Sequence, residues 1–367
     1  MEQVKINGFQ FFCMIFLFEL GSAILIGMAA EARQDAWISV IMGIGFGCML
    51  YLIFTKLSTI YPSLPLTKYL RNILGRYLGW LIGLLYVTYF LYIASRVLRD
   101  FEELLVITGY RNSSLLTVGI IMMVCVMYAV YKGLEVFFRI SELCLFLIVF
   151  LFLLLIFFEI ASGIVKINHL LPILEYGWKP VFKTFPSALT IPFGEMITFT
   201  TLLPYLNKQE NAKKVGIIGI ALSGFFLLLF TFLNIAIAGA DITSRSAFPI
   251  LTAVSYINIA DFIQRLDTVL IISMVILGFV KITVFFFCAL IGIADLFKIE
   301  EPKKMIYPVG IIILISSIII APSYIEHIYE GVKLVPYILH IPLQIVIPTI
   351  LLIIAIIKQK GNQQTQL

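Results

Sequence analysis

The chain has 367 residues, of which 61% are hydrophobic and only 13% charged, with a mean hydropathy of +1.05. A soluble domain is roughly half apolar and about a quarter charged, so this composition excludes one and points to an all-α polytopic membrane protein. The net charge of +5 is small and dispersed, and gives no reason to expect nucleic acid as a partner.

Ten apolar runs, each near the ~20 residues that cross a bilayer core, follow one another at about 9–29, 37–56, 77–107, 114–131, 139–161, 184–205, 214–238, 266–294, 305–322 and 335–357. The first continues past Ile26, too long for a cleavable signal peptide, and is interrupted by Glu19-Leu20-Gly21-Ser22-Ala23. The third exceeds a straight crossing, which predicts tilt or projection beyond the bilayer. It carries Tyr86, Tyr89, Phe90 and Tyr92, with Tyr89 a candidate cavity-lining hydroxyl, and ends in Arg96, Arg99, Asp100, Glu102 and Glu103, a cluster that reads as a solvated helix end. The sixth contains Thr190-Ile-Pro-Phe-Gly-Glu-Met196; the eighth, also long, holds Lys281. Residues 1–358 read as one transmembrane domain and 359–367 as a polar cytoplasmic tail.

With the N-terminus inside, fifteen of the 26 basic residues fall on inner segments and ten on outer ones, so the positive-inside rule puts both termini in the cytoplasm. Ten spans divide as five plus five. An odd number per half makes the halves enter from opposite sides, so a repeat of about 9–161 on about 184–357 is inverted. Interrupted helices at matching positions mark the binding site in such repeats. Spans 1 and 6, each first in its half, carry the interruptions.

Glu19, Glu195 and Lys281 lie at membrane depth, where each charge costs about 2.5–3.5 kcal/mol on insertion scales, so a shielded polar cavity is expected. Pro192 and Gly194 stop the sixth helix. The restarted helix offers free backbone N–H groups to an anion. Glu195 then holds a ligand ammonium or caps the new half-helix. Lys281 sits about 24 Å into its helix at ~1.5 Å per residue, and has three readings: a fixed cation in place of sodium, a ligand-facing donor, or a structural ion pair with Glu195 or Glu19. Glu19, Tyr89 and Thr190 are candidate cavity-lining residues.

Five scattered cysteines inside apolar runs read as small buried hydrophobes, and His169, His327 and His340 are dispersed. Neither set has metal-ligand spacing, and no nucleophile–base pair stands out. No cofactor, metal or enzymatic activity is expected.

Four blocks, in order along the chain, carry a family resemblance. They are Tyr61-Pro62 with Lys68-Tyr69-Leu70 and Leu74-Gly75-Arg76-Tyr77-Leu78-Gly79; Lys132-Gly133-Leu134-Glu135 through Arg139 to Glu142; Leu170-Leu171-Pro172 leading to Pro192-Phe193-Gly194-Glu195; and Phe262-Ile263-Gln264-Arg265-Leu266-Asp267. Together they resemble the B subunits of spore germinant receptors, permease-like members of the amino acid–polyamine–organocation superfamily. The resemblance implies a leucine-transporter-type core with helices 1 and 6 broken, residence in the spore inner membrane, and partnership with an A subunit and a lipoprotein C subunit. It further implies binding of a small nutrient (an amino acid, sugar or nucleoside) that triggers germination, in a pocket that, carried over by position, involves Gly21, Ser22, Ala23, Gly194, Glu195 and Lys281. Ala23 departs from the family's frequent second helix 1 glycine and Gln264 from its usual acid, and Lys281 stands where an amino-acid-sensing relative has a neutral hydroxyl residue. The alternative is a proton-coupled amino-acid transporter using the same pocket; a structural subunit with an inactive pocket is a third reading.

Overall fold

A computed structural model describes residues 6–259, 263, 264 and 266–364. Lys5, Phe262, Arg265 and the end of the polar tail lie outside the described residues. Helix α1 (Gly8–Leu20) starts where Asn7 and Gln10 cap each other. The Asn7 side chain accepts from the Gln10 N–H at 2.8 Å and the Gln10 side chain from the Asn7 N–H at 3.1 Å, which satisfies two donors that a helix start leaves open. The helix stops at Leu20; Gly21 and Ser22 leave it, and α2 (Ala23–Ile26) resumes for one turn.

The first half continues through α3 (Ala36–Ile60), α4 (Leu66–Leu74), α5 (Arg76–Thr108), α6 (Leu115–Lys132) and α7 (Leu134–Ala161). Leu66, Tyr69, Leu70 and Ile73 share the buried face of α4, the three-to-four spacing of an amphipathic helix. The second half opens with α8 (Lys179–Thr190). The chain is extended at Ile191, the Ile191–Pro192 peptide is cis, and a tight 3-10 helix, Phe193–Thr201, follows. Next come α9 (Ala212–Ala238), the short α10 (Ala240–Arg245) and α11 (Pro249–Ser255), and a two-residue antiparallel pair with Asn258 opposite Gln264. Then follow α12 (Asp267–Phe297), α13 (Ile306–Ile319) and α14 (Tyr324–Tyr329). The last crossing is π-helical over Glu330–Leu334 and Pro336–Val346 before α15 (Ile347–Gln364).

Among the described residues nine helices are long and apolar enough to cross a membrane. The tenth crossing is the interrupted α8 and 3-10 segment. At 33 and 31 residues, α5 and α12 exceed a straight crossing as expected, and they pack along each other. Helix α1 is buried against α7, α9 and α12, which puts the first break inside the bundle. Leu143, Phe146 and Phe150 of α7 are exposed, as a surface facing lipid tails of equal apolarity permits.

Two expectations are corrected. Cys13 and Cys288 are buried, but Cys125 is exposed on α6; an apolar run does not distinguish a core-facing position from a lipid-facing one. The charged end of α5 is not solvated: Arg96, Arg99, Asp100 and Glu102 are all buried. The end of α13 and the segment from α14 into the last crossing fold over it. Arg99 donates to the Ser317 and Ile318 carbonyls at 3.4 and 3.3 Å, and Ser317 donates to Glu102 at 2.9 Å. Arg96 donates to the His327 carbonyl and pairs with Glu330 at 3.7 Å.

Candidate functional site

Lys281, from α12, is wedged between the two breaks. Its stem crosses the first so closely that a Cβ on Gly21 would collide with Lys281 Cδ, so only glycine fits there. Its ammonium lies 5.2 Å from the Phe18 ring centre and 2.6 Å from Glu195 Oε2, at the start of the second break. The two approach as an ion pair without hydrogen-bond alignment. Phe18 also meets Phe199 edge to face, with ring centres 5.1 Å apart, so spans 1 and 6 touch beside the lysine. Glu19, fully buried and without a hydrogen-bond partner among the described residues, is close enough to feel both charges. Buried charges persist when a partner offsets their desolvation; one lysine here stands among two carboxylates.

The second break is fixed from the last crossing. A Cβ on Gly194 would collide with the Gln344 amide. Gln344 donates to the Tyr89 hydroxyl at 2.7 Å, and Tyr89 lies 2.6 Å from His340 Nδ1. Tyr86 donates to the Leu343 carbonyl at 2.6 Å and ties α5 to the same stretch.

Above these contacts lies a cavity of about 40 Å³, whose polar wall is Ser22, Glu195, Arg96, Asp100, His327 and His340. Small-molecule sites usually measure about 300–1,000 Å³, so this cavity is smaller than a ligand-sized site. One side of it is covered by Arg96, through His327 and Glu330, and by Asp100, whose Oδ1 is 3.0 Å from His327 Nε2.

Of the residues singled out from sequence, Ser22 and Glu195 line the cavity. Lys281 stands behind Glu195. Gly21 and Gly194 are points of close approach, and Ala23 is buried in α2. The Thr190 hydroxyl donates back to the Pro186 carbonyl at 2.8 Å, and Tyr89 stands behind His340. The sequence reading left out His340, His327, Arg96 and Asp100 as site residues. Signals for them existed: Pro336 and Pro342 flank His340, and Arg96 and Asp100 share a helix face at i,i+4 spacing. Among the described residues no cluster of histidine, cysteine and carboxylate side chains is placed to hold a metal ion.

Residues 5–325 match the sequence family described as spore germination protein. The chain is 37% identical to spore germination protein KB of Bacillus subtilis (strain 168), over all of this chain and 98% of that protein. Two solved structures share the fold. MhsT, crystallised in complex with L-phenylalanine, superposes with a TM-score of 0.69 at 13% identity, covering 95% of this chain and 97% of that one. Mhp1, a nucleobase-cation-symport-1 family transporter in a closed conformation with bromovinylhydantoin bound, gives 0.63 at 12% identity, over 89% and 75%. The ten crossings are therefore arranged as in leucine-transporter-type proteins.

Proposed function

We propose, since the chain belongs to the spore germination protein family, that it is the nutrient-sensing membrane subunit of a germinant receptor. In this reading it resides in the spore inner membrane with both termini on the core side and works with an A subunit and a lipoprotein C subunit. A small nutrient enters between Ser22 and Ile26 on span 1, Arg96 and Asp100 on span 3, Glu195 on span 6 and His340 on span 10. The full-length likeness to spore germination protein KB carries the reading; the cavity at the two helix breaks supports it.

The closed cavity is too small for a nutrient, so the ligand acts on an equilibrium between open and closed forms. It shifts that equilibrium only by its difference in affinity for the two. Moving it from 1:99 to 99:1 takes roughly 5.5 kcal/mol of differential binding. Closing Arg96 onto Glu330 and His327 over a bound nutrient is one source of that difference.

A proton-coupled transporter of amino acids is the second reading, favoured by one observation: Glu19, Glu195 and Lys281 form a buried cluster with one more acid than base. The two readings separate in one experiment. Spores of a deletion strain carrying this chain are screened against single amino acids, sugars and nucleosides, and vesicles holding the chain alone are tested for uptake of the active compound. Germination without uptake is the expected outcome; uptake by the chain alone supports the transporter.

A further inference from the structure

His340 belongs to neither helix break, yet the cavity is built partly on its ring. It lies in the π-helical stretch between Pro336 and Pro342, is buried, and lines the cavity together with Glu195. Its orientation is held by three contacts. The Tyr89 oxygen is 2.6 Å from Nδ1, Gln344 Nε2 is 3.1 Å from the same nitrogen, and the Tyr89 and His340 rings meet edge to face with centres 5.7 Å apart.

The orientation of the Gln344 amide decides where the imidazole proton sits. Where Gln344 donates an N–H to the Tyr89 oxygen, at 2.7 Å, the tyrosine's own proton can go to Nδ1, 2.6 Å away. An Nδ1 that accepts carries no hydrogen, and a neutral imidazole then holds its proton on Nε2. Nε2 makes no hydrogen bond to any described residue. Glu195 is placed in a complementary way: Oε2 faces Lys281, while Oε1 makes no hydrogen bond or ion pair among the described residues.

We propose that His340 is a ligand-recognising residue that offers its Nε2–H to an acceptor atom of the nutrient, while Glu195 Oε1 takes a donor from the same molecule. The ligand class is thereby a small polar molecule with an oxygen acceptor (carboxylate, carbonyl or hydroxyl) and an N–H or O–H donor within one cavity's reach. Tyr89 and Gln344 are positioning residues that act through the imidazole. The close approach of Gln344 to Gly194 links this donor to the break in span 6, so the state of that break is felt at the recognition atom.

The inference rests on the receptor reading, and its test has one arm that does not. Chain labelled with ¹⁵N-histidine is studied in detergent micelles, with the three histidines assigned through His169→Gln and His327→Gln variants. His340 is expected as the neutral Nε2–H tautomer, and Tyr89→Phe is expected to mix in the other one. An Nδ1–H tautomer in the native chain, as arises if the Gln344 amide is turned over, overturns the proposal.

In the second arm, a panel of single amino acids, sugars and nucleosides is screened on native spores, and the active compound is titrated on native and variant spores at matched receptor levels. His340→Leu is expected to raise the half-effective concentration about tenfold or more, the loss of one good hydrogen bond in a buried site. His340→Gln, whose amide N–H reaches nearly the Nε2 position, is expected to stay within about threefold of native. Native sensitivity in His340→Leu spores overturns the proposal alone. Spores with the native chain that respond to no amino acid, sugar or nucleoside of the panel overturn the receptor reading, and this inference with it.

Discussion

Lys281 and Glu195 meet at 2.6 Å with 0% and 3% of their side chains exposed, and they join a helix that does not break to one that does. Removing one partner of a buried pair costs about 3–5 kcal/mol, because the other charge is left uncompensated. The two ends of this pair are unequal. Lys281→Met leaves Glu19 and Glu195 with no cation, whereas Glu195→Gln leaves Lys281 beside Glu19. Thermal unfolding in detergent is expected to show a larger loss for Lys281→Met than for Glu195→Gln, and the double variant to recover part of it. Equal, additive losses would show that the pair is not coupled.

Gly194 admits no side chain because the Gln344 amide occupies the space. Gly194→Ala is expected to lower stability by about 1–3 kcal/mol, the usual range for overpacking. Adding Gln344→Ala makes room for the methyl group and should restore most of the loss. If the double variant is worse than the single one, the contact is not the cause.

The cover of the cavity depends on Arg96, which reaches both His327 and Glu330. In a cysteine-free background, Ser22→Cys is expected to react slowly with a water-soluble thiol reagent. Adding Arg96→Met should speed the reaction about tenfold, which corresponds to an opening equilibrium moved by ~1.4 kcal/mol. An unchanged rate would place the closure elsewhere.

Spans, broken helices and intramembrane charges were legible in the sequence because each is a local departure from an apolar background. Pro192 and Gly194 stop a helix wherever they occur, and Lys281 is conspicuous among Leu277, Phe279 and Val280. Arg96 and Asp100 misled for the opposite reason: charge at the end of a long helix is ordinary at a water boundary. Only the segment Tyr324–Leu334, far along the chain, removes that boundary by folding over α5. His340 was hidden by register. In the π-helical stretch its ring meets Tyr89, and straight helical spacing gives no reason to pair a span 10 histidine with a span 3 tyrosine. Which carboxylate Lys281 pairs with was open in the sequence as well; the geometry gives Glu195.

Glu102 has one donor for its buried carboxyl, the Ser317 hydroxyl at 2.9 Å, while Oε2 has no partner among the described residues. Ser317→Ala should therefore destabilise the α5–α13 contact by about 1–3 kcal/mol, the penalty for a buried polar group left unpaired. Chemical denaturation in mixed micelles checks this, with Ile312→Ala on the lipid-facing side of α13 as the control. Equal effects of the two substitutions would mean that the hydroxyl contributes nothing specific.

The central claim is that the nutrient binds between the two helix breaks. Its most direct test is equilibrium binding of the radiolabelled nutrient that germinates native spores, measured on purified native, Glu195→Gln and Ile312→Ala chains whose folding is checked in parallel. Native and Ile312→Ala chains are expected to bind alike, and Glu195→Gln to bind about tenfold or more weakly, as loss of a charged hydrogen-bond acceptor in a buried site requires. Native affinity in a folded Glu195→Gln chain would put the ligand somewhere else.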